Sequence, residues 1–182
     1  MGNINPNNNS PCKRCELYKN QPPILSKRAK SDVMWVGISA QKNKNDLEFE
    51  PLDVRTNSGK FIKSIEDQLP NVSFYKTNLV KCLPLNDQNK IRYPSNDEYL
   101  KCFDNLLDEI RTVNPKIVFF LGGLVSEFVY GQFGIERERY ILQQYKKTSI
   151  VSIDHPSYLM IYKRKKLDEY CDKIIGLINS NT

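Results

Sequence analysis

One histidine, His155, stands in a chain of 182 residues, so any imidazole chemistry falls to a single position. Long apolar runs are missing too. No stretch approaches the roughly 18–20 apolar residues that a membrane span requires, which leaves no candidate for a membrane partner. The opening segment, MGNINPNNNSP, is polar and lacks the apolar core of a secretory signal. The expected compartment is therefore the cytoplasm. In that reducing setting the five cysteines are expected as metal ligands or buried thiols rather than disulfides.

What is present suits one folded unit. Hydrophobic residues make up 40% and aromatics 10% of the chain, enough for a core and too much for a disordered polymer. Residues 1–10 are expected to form a flexible polar leader and residues 11–182 a single domain. Lysine and arginine number 27 against 21 acids, a formal charge of +6. Such an excess fits a polyanionic partner, nucleic acid among them, without specifying one.

From Asp32 onward, strand and helix signals alternate. DVMWVG, VSFYKTNLV, KIVFFLGG and TSIVSIDHP read as buried strands. SGKFIKSIEDQL places Phe61, Ile62, Ile65 and Leu69 on one helical face, with Ser58 as the expected N-cap. SNDEYLKCFDNLLDEIRTV is the clearest helix, capped by Ser95 or Asn96, and LVSEFVYGQF and KRKKLDEYCDKIIGLI read as two more. The alternation predicts an α/β fold: a three-layer α/β/α sandwich around a central, mostly parallel four-stranded sheet. Ligands of such sheets bind beyond the carboxyl ends of the strands. GISAQ, TNLVKC, LGG and DHPSYL all fall at those ends, so residues distant in sequence are expected to share one site.

Four of the cysteines also form a pattern. Cys12 and Cys15 make a CxxC, Cys82 follows the second strand, and Cys102 lies on the long helix. Four thiolates so arranged can hold an iron–sulfur cluster or a zinc ion; a redox pair plus two buried thiols is the plainer alternative. Cys171 falls on the apolar face of the last helix, where core packing is its expected role.

Taken in order, PCKRC, VMWVGISAQ, PLDVRTNSGK, KTNLVKC, LKCFDNLLDEI, NPKIVFFLGG and DHPSYLM resemble the motifs of the uracil-DNA glycosylase superfamily, specifically its iron–sulfur branch, family 4. The resemblance covers about residues 11–175. It implies a [4Fe–4S] cluster on Cys12, Cys15, Cys82 and Cys102, with zinc as the alternative occupant. It implies that His155 stabilises a departing uracil anion and that Asn78 reads the uracil edge, an amide offering both a donor and an acceptor. Gly37, Ile38, Ser39 and Leu52 match the remaining positions around the base. The implied substrate is DNA, single- or double-stranded, with a flipped-out base, met by a monomer. Ser157, Tyr158 and Leu159, followed by Lys163 and Arg164, match the loop that wedges into DNA, and Arg55, Ser58 and Lys60 are expected at phosphates.

Two departures bear on activity. The family's first motif carries a carboxylate where this chain has Ile38, and its uracil-stacking phenylalanine is replaced by Leu52, with Phe49 nearby as a substitute ring. Gln41, Asp46 and Asp53, together with Ser39, are the remaining candidates for placing water. The resemblance thus implies either a glycosylase that excises uracil or a related altered base through His155, or a glycosylase-fold DNA-binding protein without catalysis, serving defence or regulation.

Overall fold

Strand β1 (Val33–Ser39) is hydrogen-bonded on both sides, to β2 (Phe74–Val80) and to β3 (Ile117–Leu121), and both pairings are parallel. β3 pairs in parallel with β5 (Thr148–Ile153), and β5 pairs antiparallel with the short edge strand β4 (Gln143–Tyr145). The order is β2-β1-β3-β5-β4. This is a computed structural model, and it describes residues 12–42 and 49–182. The leader expected over residues 1–10 lies outside the described residues.

Alternate side chains of each strand enter two different cores. Met34, Val36, Val118 and Phe120 pack with α2 (Asn96–Val113) and α3 (Gly123–Phe133). Val33, Trp35, Phe119 and Ile153 pack on the other face with α1 (Asn57–Glu66), α4 (Pro156–Tyr162) and α5 (Leu167–Asn179). Both faces are covered, which is why the central strands read as unbroken apolar runs. Burial of each such side chain contributes about 1.5–3 kcal/mol. Cys171 of α5 packs against the second core.

The sheet has five strands rather than the four expected. β4 escaped notice because it is three residues long and joins β5 through Lys146–Lys147, with Lys146 at φ +55°. A Lys-Lys turn carries none of the Asn or Gly signals of a hairpin. Helix α1 is capped by Thr56, whose Oγ1 accepts from the Gly59 N–H at 3.0 Å, and not by Ser58, which lies buried in the first turn. In α2, Ser95 is the cap and forms a reciprocal capping box with Glu98. No helix among the described residues is long and apolar enough to cross a membrane.

Chain order explains where a site can form. The connection from β1 leads to β2 on one side, while β3 lies on the other side of β1. The carboxyl ends of β1 and β3 therefore flank the point where the winding reverses, the place where such sheets leave a crevice.

Candidate active site

A cleft of about 440 Å³ opens at that crevice. Gly37, Ile38 and Ser39 from β1, Asn78 from β2, and His155 just beyond β5 line it together with Gln41, Leu52, Asp53 and Ser58. Residues separated by more than a hundred positions in sequence thus meet because parallel strands end on one edge.

Asn78 is buried and crosses directly over Gly37. A Cβ on Gly37 would sit 2.4 Å from Asn78 Oδ1, so only glycine leaves the amide its place. The backbone carbonyl of Asn78 accepts from Lys81 Nζ. The same ammonium donates to Thr77 Oγ1 at 2.7 Å and to Glu109 Oε2 at 2.6 Å. All three ammonium donors are used, which is the condition for holding a buried cation.

His155 caps α4, with Pro156 at the first helical position. The segment is a helix where the family resemblance implied a loop. His155 Nδ1 accepts the Ser157 N–H at 3.2 Å and lies 2.7 Å from Ser157 Oγ. Accepting at Nδ1 assigns the ring proton to Nε2. Burial pushes the imidazole pKa below its ordinary 6.5, so the ring is a neutral Nε2–H donor near pH 7. Gly122, at φ +99°, backs the ring: a Cβ there would lie 3.2 Å from the His155 Cβ.

The segment that closes the cleft is held by its own side chains. Asp53 Oδ1 accepts from the Arg55 N–H at 2.8 Å and Nε at 2.7 Å, and Oδ2 from Arg55 Nη2 at 2.6 Å and the Glu50 N–H at 3.3 Å. The Arg55 guanidinium leads in holding the carboxylate down to about 2. Asp53 is thereby occupied as a loop brace, leaving little capacity to direct water, and its partner Arg55 is also placed 4.4 Å over the Phe49 ring. Leu52 stands at φ +53°, a conformation costing a branched residue about 1–2 kcal/mol. Gly59 lets α1 approach this turn, since a Cβ there would fall 2.0 Å from the Asp53 carbonyl. Phe49 lines the cleft, bringing an aromatic ring to the site from a neighbouring position. Asp46 lies outside the described residues, and Lys60 is exposed on α1 away from the cleft lining. Ile24, Glu50, Pro51 and Thr56 also line the cleft and were not expected as site residues, although Pro51 and Thr56 fall within the PLDVRTNSGK motif.

The expected DNA-facing segment divides in two. Leu159 is 3% exposed and packs into the second core, and Ser157 is engaged with His155. Tyr158, Ile161 and Tyr162 form the exposed face of α4, at 40%, 69% and 72% exposure. Lys163 Nζ stands 5.2 Å over the Tyr158 ring, and Lys163 and Arg164 are exposed.

Cys12 and Cys15 precede the short 3-10 helix Glu16–Lys19, Cys82 follows β2, and Cys102 lies on α2. Burial, then Cys102, Cys15 and Cys12 in turn, push the Cys82 thiol up to about 12. The four thiols therefore share one neighbourhood, where Asn105 Nδ2 donates to Cys102 Sγ at 3.8 Å. Among the described residues no three donors close to metal-holding geometry.

The fold and its cleft have known relatives. The model of the uracil DNA glycosylase superfamily matches residues 26–178, and the chain belongs to that superfamily. It is similar to the Type-4 uracil-DNA glycosylase of Archaeoglobus fulgidus, 26% identical over 176 residues that cover 87% of this chain and 82% of that protein. The Type-4 enzyme of Sulfurisphaera tokodaii is 27% identical over 161 residues, covering 86% and 66%. The crystal structure of Pedobacter heparinus SMUG2 shares the fold, with a TM-score of 0.55, 18% identity and coverage of 83% of this chain and 76% of that one.

Proposed function

We propose that the chain is a DNA glycosylase that removes uracil, or a closely related altered base, from a nucleotide turned out of the helix. The observation that carries this reading is the convergence of a neutral His155 and a braced Asn78 on one cleft. The Asn78 amide accepts from uracil N3–H and donates to O4. Cytosine presents the reverse pattern at those atoms and leaves both amide groups opposed. As the C1′–N1 bond breaks, its electron pair stays on the uracil ring and positive charge develops on the sugar. His155 Nε2–H donates to uracil O2, where the ring's negative charge collects. Water then forms the new bond to C1′ and its released proton neutralises the uracil anion, leaving an abasic site and free uracil.

The α4 face is the proposed DNA contact. Tyr158, Ile161 and Tyr162 meet bases or sugars, while Lys163 and Arg164 meet phosphates. Lys60 and Arg55, both exposed, add basic groups to that contact. Cys12, Cys15, Cys82 and Cys102 are the proposed ligands of a [4Fe–4S] cluster, supported by their shared neighbourhood. Such a cluster would tie the N-terminal segment to the body of the fold.

Ile38 favours a second reading, a DNA-binding protein without catalysis, because an aliphatic side chain lines the cleft where a carboxylate is expected. Incubation of purified protein with uracil-containing single- and double-stranded oligonucleotides separates the two. Abasic product that disappears in His155→Ala supports excision. Salt-sensitive binding with no abasic product from either substrate favours the second reading.

A further inference from the structure

Excision calls for negative charge beside the sugar, and among the described residues two acids line the cleft, Asp53 and Glu50. Asp53 is a poor source. Both its oxygens are already occupied by four donors, and the Arg55 guanidinium offsets its charge at 2.6 Å. Ile38 supplies none. Glu50 differs in each respect. It is exposed while lining the cleft, and among the described residues its carboxylate takes part in no hydrogen bond or ion pair. Its backbone is nonetheless fixed: its N–H donates to Asp53 Oδ2 at 3.3 Å, and Pro51 follows it, confining it to an extended conformation. Arg55, which feels the charge of Glu50, is bound to Asp53.

We propose that Glu50 is the catalytic carboxylate of this chain, facing the developing sugar cation and orienting the attacking water in place of the group lost at Ile38. This rests on the glycosylase reading given above. A carboxylate fixed by its backbone yet unpaired at its head among the described residues suits that chemistry, because it is pre-positioned and keeps its charge for the sugar. The Asp53–Arg55 brace then has a purpose, which is to hold the Glu50 backbone at the cleft while removing a competing charge.

Binding to charged and neutral mimics tests this apart from turnover. One oligonucleotide carries a protonated pyrrolidine at the abasic position, another a neutral tetrahydrofuran, each measured with free uracil present. Wild type is expected to bind the cation at least about tenfold more tightly, equivalent to about 1.4 kcal/mol. Glu50→Gln should reduce that preference to within about twofold while leaving affinity for the neutral mimic unchanged. Wild type without a preference for the cation, or Glu50→Gln that retains it, overturns the proposal. Failure of the glycosylase reading has a different signature: no uracil release by wild type, whatever the mimics show.

Discussion

Lys81 Nζ lies 2.6 Å from Glu109 Oε2, and neither side chain is more than 1% exposed. Thr77 bridges the pair, donating to Glu109 at 2.8 Å and accepting from Lys81. The ion pair sits between α2 and β2, directly behind the carbonyl of Asn78. It therefore joins the interior of the fold to the residue proposed to read the base.

Removing one partner strands a buried charge. Lys81→Met is expected to lower stability by about 3–5 kcal/mol, as is Glu109→Ala. The double variant Lys81→Met/Glu109→Leu should recover most of that loss, since paired apolar groups avoid desolvation. Excision should not recover with it, because the Asn78 carbonyl remains unheld. Thermal denaturation and single-turnover assays on the three proteins check both statements. A double variant restored in stability and in rate would deny the pair any part in positioning Asn78.

Gly37→Ala probes the same amide from the other side. The new Cβ would collide with Asn78 Oδ1 at 2.4 Å, and a displacement of about 1 Å costs on the order of 10²-fold in rate. The expected result is a loss of that size in uracil release, with affinity for undamaged DNA unchanged. Fluorescence anisotropy and a gel-based excision assay read the two quantities.

The lone histidine makes its titration unambiguous. Burial lowers the His155 pKa, so the unfolded chain binds the proton first as pH falls. The stability gained from the neutral ring is present above about 6.5 and is lost as pH drops toward the folded value. Asp53, held at about 2, stays ionised throughout that window and contributes nothing to the change. An NMR titration of the single imidazole should give a midpoint below 6.5 and an Nε2–H tautomer at neutral pH. A midpoint above 6.5, or a proton on Nδ1, would contradict the donor role.

How much of this was legible in the sequence depended on which physical effect dominated locally. Val33–Val36 and Ile117–Leu121 were readable because strands covered on both faces have no choice but apolar side chains. The segments holding His155 and Asn78 were readable as strand ends that the parallel topology brings together, while the roles of the two residues came from the family resemblance. Leu159 was misread because an apolar residue beside a basic run looks exposed until helical spacing is imposed. With Pro156 buried, Leu159 one turn on must also face inward, and Tyr158, Ile161 and Tyr162 turn outward. Asp53 was a candidate for placing water because nothing local announces that Arg55 folds back onto it. Glu50 went unnoticed for a related reason: its interest lies in partners it does not have among the described residues.

That division of α4 yields a paired test of the DNA surface. Leu159→Ala removes a side chain packed in the second core and is expected to cost about 2–5 kcal/mol of stability. Its effect on DNA affinity, measured well below the melting temperature, should be small. Tyr162→Ala removes an exposed ring and should leave stability within about 0.5 kcal/mol. It should weaken binding to single-stranded oligonucleotides by about 1–3 kcal/mol, the range for stacking one base on an aromatic side chain. Arg164→Ala should instead flatten the salt dependence of binding by about one unit in slope without changing which substrate is preferred. If Leu159→Ala weakened DNA binding while Tyr162→Ala did not, the inward and outward faces of α4 would have to be exchanged.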